Sequence, residues 1–364
     1  MFKKIYFCLL LLSFQQASAA DINVVLVSPS YENDLFWSQV SKIAQASADD
    51  LDVSLHIYHN ISNRVLLDEL LSNIAQSINK PDYIIFMPFG GSLDHTFNLL
   101  EQAKIPFVTL ERTYEQQLHF KKIGKPLGKF SYWIGEVFFD NFKAGELLTQ
   151  TLFNYAKEHL SAKKNKLSAF GLSGDYHSAT EHRNSGFLQS AEQNSIDVKQ
   201  FVHTNWEKNI AKEKLLKLVK RHGTVDIIWC ASDLNAIGAL EAVKELNLQP
   251  NLDIVIGGFD WTPAALEMIQ TKQLTASVGG HIFQGARALI KVVDYHHGFD
   301  NFNRTTNHKG YLLEIIDINS IDKYKQLTHE NDWGKVDFSL FSSAKQKQAS
   351  TFSTLNILSS LNGQ

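Results

Sequence analysis

Cysteine is nearly missing from this chain: among 364 residues only Cys8 and Cys230 carry a thiol. Cys8 falls in a segment expected to be removed, so no intramolecular disulfide can form and stability must come from core burial. Cys230 ends the apolar run Asp226-Ile227-Ile228-Trp229-Cys230 and reads as a small buried hydrophobe rather than a nucleophile. Long apolar runs are missing as well. The longest, Ile5 to Phe14, has about ten residues where a bilayer span needs about 20. Charge of one sign does not accumulate either. The 35 Lys and Arg are mixed among 38 Asp and Glu, for a net −3, which leaves no basic stripe for nucleic acid. The 14 histidines miss metal-ligand spacing: His296 and His297 are adjacent, and His177 and His182 sit five apart. No metal and no cofactor is expected.

At the N-terminus, Lys3 and Lys4 precede the Ile5–Phe14 run, and Ala17-Ser18-Ala19 supplies small residues behind it. That order predicts a secretory signal peptide over residues 1–20, cut after Ala19 or Ala20. Cys8 lies inside the run rather than after it, so a lipid anchor is not expected. The mature chain is expected in the periplasm.

Its remaining residues exceed what one core serves, which predicts two domains. Strand-like runs alternate with helical spacing: Ile22 to Val27, then Leu35 to Ala48; Val53 to Tyr58, then Val65 to Ile78; Tyr83 to Met87, then Leu93 to Ala103; then Pro106 to Leu110. After a looser stretch from Tyr114 to Lys129 the alternation resumes at Tyr132 and runs to Phe259. Continuous apolar strands alternating with helices predict parallel sheets covered on both faces, an α/β class. The polar tail from Ser342 shows little apolar periodicity and is expected to be flexible.

Open parallel sheets bind ligands beyond the carboxyl ends of their strands. The residues expected there are Asp34, Phe36 and Trp37; Glu111 and Arg112; Arg183; Trp206; Ser232 and Asp233; and Phe259 and Asp260. Planar carboxylate and guanidinium groups can each pair with two neighbouring hydroxyls, while aromatic faces cover the C–H surface of a sugar ring. Asp34 and Asp233 each stand just before a helical run and fit an N-cap equally well. An enzyme is not expected, since the Gly171-Leu172-Ser173-Gly174 turn lacks a nucleophile-elbow pattern.

The motifs Phe36-Trp37, Glu111-Arg112, Asp140-Asn141 with Ala144-Gly145, Ser178-Ala179-Thr180-Glu181-His182-Arg183, Ser232-Asp233 and Gly257-Gly258-Phe259-Asp260 occur together in order. With them the chain resembles type I periplasmic solute-binding proteins of the ribose/galactose-binding family over roughly residues 22 to 318. A longer first loop, Trp37 and the long C-terminal segment are similar to the autoinducer-2 receptors of that superfamily. The resemblance implies two doubly wound parallel-sheet lobes joined by a three-segment hinge. The lobes would be 21–136 plus 281–310 and 137–280 plus 311–340, with 341–364 as a flexible tail. Crossings are implied near Gly135–Asp140, Phe259–Trp261 and Gly279–His281 extending to Gly310. Phe36 and Trp37 would stack on the ring, Glu111 and Arg112 bind hydroxyls or line the hinge, and Arg183 reach the ring and anomeric oxygens. Ser232, Asp233 and Asp260 would bind further hydroxyls, with Phe259 and Trp206 packing the sugar. The family's last contact, an amide, aligns with Gly280 beside His281. The implied protein is a monomer that takes a sugar or polyol and presents it to the membrane subunits of an ABC importer, or alternatively to a membrane sensor kinase. The segment Asp332 to Ser339 is either a docking surface for such a kinase or a terminal strand on the second lobe.

Overall fold

Two parallel sheets, each sandwiched between helices, follow directly from how the strands divide their side chains. The computed structural model describes residues 22–89, 91–111, 123–160, 166–176, 178–305, 310–329 and 331–361. In the first sheet β1 (Ile22–Val27), β2 (Val53–Tyr58), β3 (Tyr83–Phe86), β4 (Phe107–Leu110) and β5 (Trp133–Val137) lie in the order β2-β1-β3-β4-β5, all parallel. Because side chains alternate along a strand, Val25 and Val27 pack with Leu67, Leu71 and Phe97. Val24 and Leu26 instead face Ile43, Ala44 and Leu289. The covering helices are accordingly α2 (Arg64–Gln76) and α3 (Leu93–Ala103) on one face, and α1 (Trp37–Asp50) on the other.

The second sheet repeats the scheme with β6 (Ser168–Ser173), β7 (Asp197–His203), β8 (Ile227–Cys230), β9 (Val255–Phe259), β10 (Ala276–Gly279) and β11 (Glu314–Asp317). Its order is β11-β10-β9-β8-β6-β7, with β11 antiparallel at the edge. Helices α4 (Asn141–His159) and α5 (Ser178–Gln193) cover Ala169, Ile227, Trp229 and Val255. Helices α6 (Lys208–His222) and α7 (Asp233–Glu245) cover Phe170, Leu172, Ile228 and Cys230. Cys230 is fully buried, which pushes its thiol well up. A short helix not expected from the sequence, α8 (Pro263–Gln270), starts at a Thr262 cap with proline in its first turn, a signal the sequence does carry.

The chain passes between lobes three times up to β11. It leaves β5 for α4 through Phe138 to Asp140, and leaves β10 through a 3-10 turn, His281–Phe283, into α9 (Gln284–His296) on the first lobe. It returns at Tyr311, whose N–H and carbonyl pair with Phe138 O (2.9 Å) and Asp140 N (2.9 Å). The expected crossing at Phe259–Trp261 is not one. That stretch joins β9 to α8 inside the second lobe, and Trp261 is pinned there by an Nε1 bond to Ser277 O at 2.9 Å.

The C-terminal expectations also need correction. Residues 342–361 are folded rather than loose: Ser342 is fully buried, and α10 (Thr354–Leu361) buries Ile357 and Leu358. Trp333 to Phe341 forms two 3-10 turns against α1 and α9, on the first lobe rather than the second and not as a strand. The positively charged Lys291 of α9 lies in the hinge seam, its Nζ donating to Asn301 O (2.8 Å). Burial, with help from the Arg287 charge, pulls its pKa down to about 8 from 10.5. The unfolded chain therefore holds more protons between those two values, and this group adds stability as pH rises through that window. In urea titrations from pH 7 to 10, Lys291→Met should flatten that rise. A wild-type slope retained by the variant would show that the ammonium is not desolvated.

Candidate functional site

Arg183 is where the second lobe is assembled most tightly. Helices α4 and α5 touch backbone to backbone because Gly145 and Gly186 lack side chains. A Cβ on Gly145 would stand 2.1 Å from Arg183 O, and one on Gly186 would stand 2.1 Å from Phe142 O. That approach sets Arg183 beside the start of α4, where its Nε donates to Asn141 Oδ1 at 2.8 Å. Its Nη1 donates to Ala231 O at 2.9 Å, beyond the end of β8. The guanidinium lies 4.6 Å above the Phe259 ring, and the residue is only 6% exposed. Its Nη2 meets His281 Nε2 (3.4 Å), and Nη1 also faces Asp260 Oδ1 (3.8 Å).

His281 completes the cluster from the hinge. Its Nε2 lies 3.1 Å from Asp260 Oδ1, and its ring packs on Phe36 (centroids 4.6 Å) and Phe139 (5.8 Å). Phe36 in turn meets Trp37 edge-on at 5.3 Å. One contiguous group thus joins first-lobe aromatics, a hinge imidazole and second-lobe charges. Of the residues expected from the sequence, Phe36, Trp37, Arg183, Phe259 and Asp260 come together here. Asn141, Phe139 and His281 join them. Asn141 was visible in the Asp140-Asn141 motif, and His281 stands next to Gly280, the position aligned with the family's last amide contact, whereas nothing in the sequence marked Phe139.

The other expected residues are placed differently. Asp34 is a turn residue: Oδ1 accepts from the N–H groups of Phe36 (2.9 Å) and Trp37 (2.7 Å), and Oδ2 accepts from Ser30 (3.0 Å). It fixes the aromatic pair instead of facing a ligand, as an anionic acceptor at a helix start should. Asp233 is also structural. It is fully buried, accepting from Thr262 N (2.8 Å), Thr262 Oγ1 (3.0 Å) and Ser277 Oγ (2.8 Å), and burial drives its pKa well up. Ser232 caps α7 by accepting from Asn235 N at 3.2 Å, next to the Ala231 carbonyl that anchors Arg183. Phe259 is fully buried and supports the guanidinium from below. Trp206 is half-buried over Gly174, at the mouth of the second lobe. Glu111 ends β4 with its N–H on Val137 O, beside the first crossing. Arg112 lies outside the described residues.

Backbone strain collects at these strand ends. Glu111 (φ 53°), Trp206 (φ 64°), Asp260 (φ 114°) and Trp261 (φ 57°) are all left-handed without being glycine, at a cost of about 1–3 kcal/mol each. Among the buried polar atoms without partners, Ser28 Oγ follows β1, Glu111 Oε2 follows β4, and His281 Nδ1 and both amide atoms of Gln284 lie in the turn into α9, while others such as Ser41 Oγ and Trp229 Nε1 lie within elements. Each such buried group costs about 1–3 kcal/mol unless something pairs with it, and hydroxyls, which donate and accept, suit a mixed set of acceptors and donors. A cavity of about 780 Å³ is lined by Tyr31, Asn33, Gln39 and Asn60 of the first lobe and Thr262 and Pro263 of the second, and by none of the cluster residues themselves.

A family model described as "Periplasmic binding protein domain" matches residues 24–298. The ribose import binding protein of Salmonella typhimurium is 22% identical over 264 residues, 72% of this chain and 80% of its own length. The D-allose-binding periplasmic protein of Escherichia coli is 23% identical over 290 residues, 78% and 87% of the two chains. Among solved structures, a periplasmic sugar-binding protein from Pseudomonas fluorescens superposes with a TM-score of 0.79 at 22% identity, covering 94% of this chain and 99% of that one. An ABC transporter periplasmic solute-binding protein from Actinobacillus succinogenes with bound D-allose gives 0.70 at 20% identity, covering 83% and 100%.

The two aspartates should separate experimentally. Asp233→Leu strands the Thr262 N–H and two hydroxyls, at about 1–3 kcal/mol of stability for each group left unpaired. Asp260→Asn removes the charge facing the buried Arg183, so it should lower stability too and, unlike Asp233→Leu, also weaken ligand binding by about 2 kcal/mol or more through the loss at the cleft itself. The assignment is reversed if calorimetry and urea unfolding give the opposite pattern.

Proposed function

This chain belongs to the type I periplasmic binding protein family, and we propose that it captures a monosaccharide or similar small polyol between its lobes for delivery to an ABC importer. One observation carries the reading. Arg183 of α5, Asp260 after β9 and His281 of the hinge turn, flanked by Phe36 and Trp37, meet in one cluster in which His281 Nδ1 is buried without a protein partner. Charged planar groups beside aromatic rings are what a small polyhydroxylated ring requires, since its hydroxyls need donors and acceptors in one plane and its C–H faces need apolar cover. The names of the relatives, which import ribose or bind D-allose, support the same ligand class. A sensory role is the less favoured reading, because Trp333 and Phe338 of its proposed docking segment are committed to packing against the first lobe.

Binding between lobes gives such a protein its signal. A ligand that touches Phe36 on one lobe and Arg183 on the other gains contacts available only when both are near, so it favours that arrangement by its differential affinity. An importer's membrane subunits would then recognise the relative placement of the lobes. The chain acts as a monomer in this reading and performs no chemistry on its cargo.

A thermal-shift screen of the mature protein against D-ribose, D-allose, myo-inositol and further aldoses, ketoses and cyclitols tests the ligand class. A member present at 100 times its Kd should add about 2.7 kcal/mol. No shift anywhere in the panel would sink the sugar reading.

Export is the second part of the proposal. Residues 1–20 and the Ala19/Ala20 cleavage site lie outside the described residues, and no described helix is long and apolar enough to cross a membrane. Intact-mass measurement on periplasmic material should find a chain starting at Ala20 or Asp21 without lipid. A species that retains Met1 or carries diacylglycerol would overturn this.

A further inference from the structure

Beyond β11 the chain does not end its work on the second lobe. The 3-10 segment Ile321–Thr328 packs there, with Ile321 and Leu327 buried and Tyr324 6.0 Å from the Trp261 ring. Within a few residues the chain is anchored on the first lobe. Trp333 is 4% exposed, edge-on to Phe283 at 5.7 Å, and its Nε1 reaches Gln39 Oε1 at 3.5 Å. Phe338 N donates to Asp50 Oδ2 (2.7 Å), and Lys345 Nζ pairs with Asp52 Oδ2 (2.8 Å). Ser342 Oγ (2.6 Å) and Ala344 N (3.0 Å) both donate to the buried Asp294 of α9. The segment then turns back over the hinge. Arg287 of α9 is held between Tyr311 (4.2 Å) and Phe352 (4.3 Å), and Thr354 Oγ1 donates to Glu314 Oε1 of β11 at 2.9 Å.

We propose that residues 321–361 form a tether that limits how far the two lobes can part, whatever the cleft binds. Three observations converge on it. The anchors alternate between lobes: second, first, then the β11 edge of the second. A single apolar cluster contains Leu266, Ile269 and Ile321 of the second lobe, Trp333 and Phe338 of the segment, and Ile43 and Phe283, so the tether adds apolar contacts to those of the hinge crossings. Its free span is short. Four residues lie between Thr328 and Trp333, and a chain covers at most about 3.3–3.6 Å per residue, which caps the separation of those anchors at about 17 Å. Wider opening requires Trp333 or the Ile321–Thr328 segment to leave its pocket. Ligand-free protein is therefore kept from opening beyond that limit while both anchors hold.

The test needs no ligand. Small-angle scattering and amide exchange are measured on the ligand-free mature protein, on the double variant Trp333→Ala/Thr354→Val, and on a chain with a protease site inserted after Asn331 and cut after folding. The cut chain also carries Thr354→Val, so it loses the covalent span after Thr328 and the return contact to Glu314 while keeping its first-lobe anchors. With the tether released, the radius of gyration should exceed the wild-type value, and amides at Phe138–Asn141 and Gly280–Gln284 should exchange about tenfold faster. Core amides in β3 and β8 should exchange as before, which separates release from unfolding. An unchanged radius and unchanged hinge exchange in the cut chain, or in a folded double variant whose 333–341 amides have become labile, would overturn the proposal.

Discussion

A guanidinium that is almost entirely removed from water must be neutralised and hydrogen-bonded in place, and Arg183 imposes that requirement on everything around it. Breaking a buried charge arrangement by removing one partner costs about 3–5 kcal/mol, more than a strained loop residue or a glycine in a helix. That ordering explains local choices that otherwise look unfavourable. Gly145 and Gly186 weaken α4 and α5 by about 1 kcal/mol each relative to alanine, yet they permit the close approach that presents Asn141 Oδ1 to Arg183. Asp260 accepts a left-handed backbone, at about 1–3 kcal/mol, and so brings its carboxylate toward Arg183 and His281. The charge dictates the geometry, and the fold tolerates the local costs.

The same logic separates the two aspartates that the sequence could not tell apart. Asp233 and Asp260 both follow apolar strands, and a strand-end carboxylate can cap, brace or bind. Asp233 faces inward to Thr262 and Ser277, where it joins α7, α8 and β10 and holds the turn that carries Asp260. Asp260 keeps 14% of its side chain exposed and looks across to Arg183. The distinction is one of side-chain direction at a turn, set by three tertiary hydrogen bonds, and no local pattern records it. Asp34 illustrates the opposite case, since its capping geometry was one of the two uses open from its position before a helical run.

Most of the α/β alternation was legible because buried parallel strands are short, continuous and apolar, and Val24 to Val27 or Ile227 to Cys230 can hardly be anything else. The cluster of Phe36, Trp37, Arg183 and Asp260 was legible as a set through the order of its motifs. The C-terminal segment was not. Ser, Gln, Asn and Lys dominate its composition, and its apolar residues (Trp333, Phe338, Phe341, Phe352, Ile357 and Leu358) follow neither the helical nor the strand period. All but Ile357 and Leu358 lie on 3-10 turns and irregular chain, and those two sit on a helix of only eight residues, so periodicity fails as a detector where tertiary contacts do the ordering. The false crossing at Phe259–Trp261 has a similar origin. Two successive left-handed residues mark a sharp turn, but a sharp turn can either change lobes or, as here, start α8.

These features bear on how the cleft would respond to a ligand. A clamp with three flexible crossings can open widely, and its ligand must then supply the whole differential that favours closure, about 5.5 kcal/mol to turn a 1:99 population into 99:1. In this chain the hinge is flanked by Arg287 between two aromatic rings and by an apolar cluster that continues from one lobe into the other. Opening must therefore break side-chain contacts as well as rotate backbone. Any part of that differential built into the protein is a part the ligand need not provide, so a small ring with few contacts suffices. The corresponding loss is contrast: the narrower the range of lobe positions, the less a partner can distinguish loaded from empty by shape alone. Discrimination then shifts toward the rim, where Tyr31, Leu35 and Tyr176 stand exposed and small displacements of the two lobes change which side chains are presented together.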